Sequence, residues 1–242
     1  MKQTGLSIDF SWKHALGEFV LIVTGVLVAM AANSWWESRQ DHTKEETYLA
    51  QLMADTHANQ ERVDSAFAVD SAAMISTNRW LGILSGAEPI PPRDTTRRGG
   101  IRGADAFVSP DFRPLLGTYT ALLETGDLQL LESPGLRFRL VAYQSSLESV
   151  RETVRHTAET MERHEDSYYR AVLPLMPPND RRGPGFRQLA EVAQGRQDVT
   201  IPLGAAMAAR RRRMRVLGSL RAETRLLVGE LEAEQKRLTE ED

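Results

Sequence analysis

One run of the chain cannot face water comfortably on any side. Between Phe19 and Ala32 fourteen residues pass without a charge, and Thr24 is the one polar side chain among them. With the flanks Ala15–Gly17 and Asn33–Trp36 the stretch ALGEFVLIVTGVLVAMAANSWW reaches 22 residues. As a helix it is roughly 33 Å long, about the hydrocarbon thickness of a bilayer. A buried core helix would confine its apolar residues to one stripe, whereas here they run all round, which favours a transmembrane helix. Trp35 and Trp36 fall where one interface would lie, and Phe10 and Trp12 approach the other, as interfacial anchors do.

The span is uneven. Glu18, Gly25, Ala29 and Asn33 recur at intervals of seven, four and four and so share one helical face. Gly25 and Ala29 form a small-xxx-small pair that admits another backbone closely. Ionisable groups at such depth face protein or water, so this face is expected to dock against a partner helix. The competing reading is that Glu18 snorkels to the headgroups. Ala29-Met30-Ala31 also resembles a signal-peptidase site, but Glu18 borders the apolar run and two tryptophans follow it, which favours an uncleaved signal-anchor. Lys2 and Lys13 before the span nearly balance Arg39 and Lys44 after it. The short lead-in before a first hydrophobic segment predicts a single crossing, with the N-terminus cytoplasmic and the bulk of the chain translocated.

Gly17-Glu18, Gly25, Leu27, Ala29, Asn33, Trp35, Glu37 and Arg39 spell GE-x6-G-x-L-x-A-x3-N-x-W-x-E-x-R. This resembles the start of a large uncharacterised family of bacterial single-span membrane proteins, whose next helix carries a Tyr-Leu pair like Tyr48-Leu49 with Leu52 here. Thr118-Tyr119, Leu122, Gly126-Asp127-Leu128, Leu130, Leu136-Arg137 and Leu140 are similar to that family's second recurrent block. Trp36 stands where Asn is common, and Ala31 and Ala32 replace Gln and Ile. The resemblance implies a membrane-anchored helical protein and brings no established activity.

The remainder reads as helical. With 242 residues, the chain has about 200 outside the span, enough for one modest domain. The sequence partitions into a leader over 1–14, the span over 15–36 and an extramembrane domain over 37–242. Neither glycine nor proline occurs from Val26 to Leu81, so the membrane helix is expected to continue outward and end near Gly82 or Gly86. Leu49, Leu52, Val63, Phe67, Met74, Leu81 and Leu84 give it an apolar stripe that Asp70 and Thr77 interrupt. A Pro/Gly/Arg-rich loop follows over 86–111. Ser109-Pro110-Asp111 predicts a helix start running to about Thr125, Gly126-Asp127 a turn, and Ser133-Pro134 the next helix. That helix carries a seam at spacings of three and four: Leu140, Tyr143, Leu147, Val150, Val154, Thr157, Met161, His164, Tyr168 and Ala171. Pro174, Pro177 and Pro178 end it, and a second loop covers 174–186. Asp198–Leu203 is expected to be extended. A last helix is predicted from about Ala205 to Arg237, with Met207, Met214, Leu217, Leu220, Leu227, Leu231 and Leu238 inward. The expected fold is all-α, one transmembrane helix continuing into an antiparallel bundle of long helices.

No catalytic pattern stands out. The absence of cysteine excludes thiolate catalysis, disulfides and Cys-based metal sites. Glu152, His156 and Glu159 share a helix face that could hold a metal, but Arg155 and Arg163 beside them favour a solvated salt-bridge surface. Paired Glu-x-x-His motifs of the di-iron type do not occur. His164 reads as a core histidine, and His42 as part of a charged juxtamembrane face. Phosphate and nucleophile motifs are missing. No cofactor, metal or small-molecule substrate is expected. Net charge is −3, and no aromatic-interleaved basic reader points to nucleic acid.

The arginines cluster. Arg210, Arg211, Arg212, Arg213 and Arg215 make a basic turn in the last helix, and Arg93, Arg97, Arg98, Arg102, Arg181 and Arg182 lie in the loops. They either pair with the acidic surface of the first helix or the Glu240-Glu241-Asp242 tail, or dock on an acidic partner or lipid headgroups. The function expected from this pattern is a non-catalytic accessory or scaffold subunit binding other membrane-protein subunits and lipid, as energy-transducing complexes carry. A sensor transmitting through the first helix and an enzyme with an unrecognised helical site are the alternatives.

Overall fold

The computed structural model describes residues 12–91, 103–175 and 186–241. Most of the leader, with Phe10, and the centres of both loops, with their six arginines and Pro177 and Pro178, lie outside the described residues. Among the described residues there are five α-helices: α1 (Trp12–Leu84), α2 (Gly117–Thr125), α3 (Pro134–Val172), α4 (Phe186–Ala193) and α5 (Gln197–Glu241). Short 3₁₀ turns occupy Gly103–Ala106, Asp127–Leu130 and Leu173–Leu175. The described residues include no strand. By its contacts the chain divides into two units, Met1–Tyr48 and Leu49–Asp242.

In the first unit the described chain is α1 alone. Every side chain from Leu16 through Asp41 is exposed, so the apolar residues Phe19, Leu21, Leu27 and Met30 find no protein cover. By length and composition this helix is able to cross a membrane.

The second unit is an antiparallel bundle, and its polar cross-links give the register. Glu132, just before α3, meets Arg237 of α5 at 2.9 Å, and between the two helices Arg139 meets Glu230 at 2.7 Å, Tyr143 meets Thr224 at 3.0 Å and Ser146 meets Glu223 at 3.2 Å. Numbers rise on one helix as they fall on the other. Between α1 and α5, Asp64 pairs with Arg221 and Asp70 with Arg210 and Arg213. The chain thus goes up along α1, down through residues 105–116 and α2, up along α3 and down along α5.

Local signals set several boundaries. Ser133 caps α3, its Oγ accepting from Leu136 N at 3.3 Å with Pro134 in the first turn. The α3 seam is buried at Leu136, Leu140, Tyr143, Leu147, Val150, Val154, Thr157, Met161 and Tyr168, whereas His164 and Ala171 are half-buried at its edge. Gly86, at φ 77°, turns the chain out of α1, and its N–H donates to Ile83 O at 3.1 Å. The last carbonyls of α1 also receive Gln194 Nε2 (3.3 Å, on Ile83) and Gly195 N (2.9 Å, on Leu84) from the α4–α5 turn.

Two expectations are corrected. Residues 198–203 are helical, because α5 starts at Gln197 and buries Val199, Leu203 and Ala206 at helical spacing. Pro202 sits in its second turn, where a missing N–H forfeits a single helical bond. The helix expected from Ser109 starts only at Gly117, for the reason given below. Helix α4 lies in a stretch for which the sequence pattern predicts no element.

Trp80, Ile83, Phe107, Met161, Tyr168, Val172, Ala193 and Leu203 form a core cluster, with the Phe107 and Tyr168 rings 5.3 Å apart. Burial raises the Tyr143 and Tyr168 phenols to about 12, against the lowering effect of hydrogen bonds with Thr224 and Trp80 respectively, and raises Tyr119 further. In the unfolded chain tyrosine ionises near its ordinary value of about 10. Above that pH the unfolded state holds fewer protons than the folded one. Stability is therefore expected to fall as pH rises from about 10 through about 12, by about 1.4 kcal/mol per pH unit for each such tyrosine. Urea unfolding at stepped alkaline pH checks this; Tyr143→Phe should flatten the decline by one tyrosine's share.

Candidate functional site

Residues 105–116 form a strap that runs back along α1, held largely by its backbone. Asn59 takes both backbone groups of Leu115: Nδ2 donates to the carbonyl at 2.9 Å and Oδ1 accepts from N–H at 2.7 Å. Arg62 donates to Arg113 O. Ser76 donates to Asp105 Oδ2 at 3.1 Å, and Thr118, just inside α2, to Asp55 Oδ2 at 2.7 Å.

The centre of this arrangement is a buried charge network. Asp70, Arg210 and Arg213 are at most 1% exposed. Arg210 Nη1 donates to Asp70 Oδ1, and Arg213 Nε to Asp70 Oδ2 at 2.7 Å. One carboxylate cannot use all the donors of two guanidiniums, and the strap supplies the rest. Arg210 Nη2 donates to the carbonyls of Asp105 (3.2 Å), Ala106 (3.0 Å) and Val108 (2.6 Å). Arg213 donates to Ser109 Oγ at 2.6 Å and to Pro110 O. Burial raises the Asp70 pKa, although both guanidiniums pull it down, and lowers that of Arg210, although Asp70 pulls it up. Desolvation opposes both charges, so the hydrogen bonds decide whether the network holds.

These contacts explain the missing helical turns before α2. Carbonyls that would bond along a helix are spent on Arg210 and Arg213, while Ser109 Oγ accepts from Arg213 instead of capping.

The five docking arginines therefore separate. Arg210 and Arg213 are interior residues paired with Asp70 of α1, the first of the two alternatives, which removes them from any docking surface; Arg211, Arg212 and Arg215 are exposed. Asp70 was the missed residue. A carboxylate breaking an apolar stripe needs a buried partner, and two arginines spaced three apart on one helix face were the available signal.

On the other predicted positions the structure is plain. Glu18, Gly25, Ala29 and Asn33 are all exposed, and a Cβ added at Gly25 would meet nothing within 4 Å. Trp35 and Trp36 are 61% and 65% exposed. Trp12 opens α1, its side chain lying outside what is described. Asn33 Nδ2 donates to Glu37 Oε1 at 2.8 Å, and the Arg39 guanidinium lies 5.8 Å from the Trp35 ring centroid. The N-x-W-x-E-x-R spacing thus holds two interleaved pairs one helical turn apart. Arg155 bridges Glu152 at 2.6 Å and Glu159 at 3.1 Å on an exposed face, which gives those carboxylates an arginine partner. Among the described residues no group of three or more metal-ligating side chains converges. A cleft of about 570 Å³ separates the strap from α3, lined by Pro110, Phe112, Pro114, Val154, Ala158 and Arg151 among others.

Compared with known proteins, the chain matches no family model, no curated protein and no solved structure. What it defines by itself is a helical bundle preceded by an exposed apolar helix long enough to span a bilayer.

Removing the shared carboxylate tests the network. Asp70→Asn leaves two buried guanidiniums without a counter-charge and is expected to cost about 3–5 kcal/mol in stability. Amide exchange in the strap, Leu115 included, should accelerate at denaturant levels where α3 still exchanges slowly. Strap exchange unchanged from wild type would show that the arginines do not hold it.

Proposed function

We propose that this protein is a membrane-anchored, non-catalytic accessory or scaffold subunit. It spans a bacterial inner membrane once, holds its bundle on the periplasmic side and binds other subunits of a membrane-protein assembly. The observation that carries this reading is the exposed apolar surface of α1 from Leu16 to Trp36, bounded by two tryptophans. Such a surface is stable only when lipid or another apolar helix covers it. The aligned Glu18, Gly25, Ala29 and Asn33 give one side of it a shape suited to close helix contact. The Asn33–Glu37 and Trp35–Arg39 pairs keep polar groups satisfied where the helix would leave the hydrocarbon.

The test is made in native membranes. After an alkaline wash the wild-type chain stays with the membrane pellet; release into the supernatant would sink the anchor. Purification in mild detergent recovers co-migrating subunits, and Gly25→Leu with Ala29→Leu lowers their yield about tenfold, equivalent to about 1.4 kcal/mol. A monodisperse monomer without partners, or a double variant that recovers them equally well, would overturn the accessory-subunit reading.

A further inference from the structure

We propose that the outer face of α5 at Arg211, Arg212 and Arg215 binds an acidic helical segment of a partner protein, with carboxylates one helical turn apart. From Val199 to Ala222 this helix carries six arginines and no carboxylate. Arg210 and Arg213 turn inward to Asp70, and Arg221 pairs with Asp64. Arg211, Arg212 and Arg215 point outward and have no carboxylate within salt-bridge distance among the described residues. Arg211 and Arg215 are like charges one turn apart, an arrangement that weakens an isolated helix.

The neighbouring elements offer little compensation. The pairs Asp64–Arg221 and Asp70–Arg213 place residues 65–78 of α1 level with this part of α5. That stretch of α1 contains one charged residue, the buried Asp70, and exposes Ala68, Ala72 and Ile75. On α3, Glu152 and Glu159 are already taken by Arg155, and Glu162, Glu165 and Asp166 make no ion pair with α5 among the described residues. The patch is positive and locally unbalanced.

Its shape selects the occupant. Gly204 and Ala208 precede the arginines on the exposed face and Ser219 and Ala222 follow them, with the exposed Ile201 and Leu226 lying beyond these at either end. Small side chains on both sides leave a shallow track in which a second helix can lie against α5, while the guanidiniums reach its carboxylates in bidentate fashion. A lipid-binding face would instead present bulky apolar or aromatic residues between its basic ones. Two copies of this face repel each other.

This inference rests on the reading of the chain as a partner-binding subunit, but a different surface tests it. Full-length protein in zwitterionic nanodiscs is titrated with a labelled helical peptide bearing glutamates at i and i+4. A peptide of equal composition with its glutamates bunched at one end, and phosphatidylglycerol vesicles, serve as comparison probes. Wild type is expected to bind the spaced peptide most tightly. R211E/R212E/R215E should weaken that binding by about tenfold or more with unchanged thermal melting, since these side chains lack intramolecular ion partners. R151E/R170E, which alters charge on α3, should leave it within about threefold. Equal binding of both peptides, equal weakening by the α3 variant, retained binding in the triple variant, or binding to the vesicles alone would each overturn the proposal. Such a failure leaves the span experiment with Gly25 and Ala29 unaffected.

Discussion

Everything distinctive in the bundle follows from placing one carboxylate and two guanidiniums out of water. Asp70 satisfies one edge of each arginine and no more. An interior with a net positive charge is tolerated only where further acceptors converge, and neutral carbonyls are the acceptors used. A helix would turn those carbonyls to its own amides. The chain leaves its 3₁₀ turn at Ala106 and forms no α-helix through Pro110, so that these carbonyls point at Arg210 and Arg213. The network thus puts a strap where the first half of the short helix expected from Ser109 to about Thr125 would lie, and the clamps at Asn59 and Arg62 continue the same pattern along α1.

Helical geometry also sorts the arginine run into two roles. Positions 210 and 213 share the core-facing side, and 211, 212 and 215 fall on the other. A net charge of −3 for the whole chain hides this local excess. The buried network and the proposed binding face therefore occupy adjoining positions of α5 without sharing a side chain.

Much of the architecture is legible in the sequence where burial is one-sided or absent. The α3 seam shows itself because each of its apolar residues faces one partner surface at a constant spacing. The span shows itself because its apolar residues have no polar side at all. The strap does not, since Ser109-Pro110-Asp111 carries the local marks of a helix start and the contacts that override them come from Arg213, 103 residues beyond Pro110. Helix α5 begins earlier than its local pattern predicts because Pro202 is tolerated near a helix start, and because Val199 and Leu203 gain cover from α4 and Trp80 that only the folded chain provides. For the arginines, composition identifies the cluster and tertiary packing divides it.

The first unit carries its own division of labour. Asn33, Trp35, Glu37 and Arg39 are paired with one another along a single helix, so their spacing has a local cause and needs no partner. Gly25 and Ala29 have no such internal account: a small residue in an exposed apolar helix forfeits lipid contact and, at glycine, helix propensity, and open space surrounds Gly25. The proposed helix contact would give it a use, since a second backbone could approach there more closely than a leucine would allow. The motif that resembles a family pattern is thus two features of different kinds, a self-contained pair of side-chain ties at one end and, at the other, the exposed small-residue face on which the proposed docking rests.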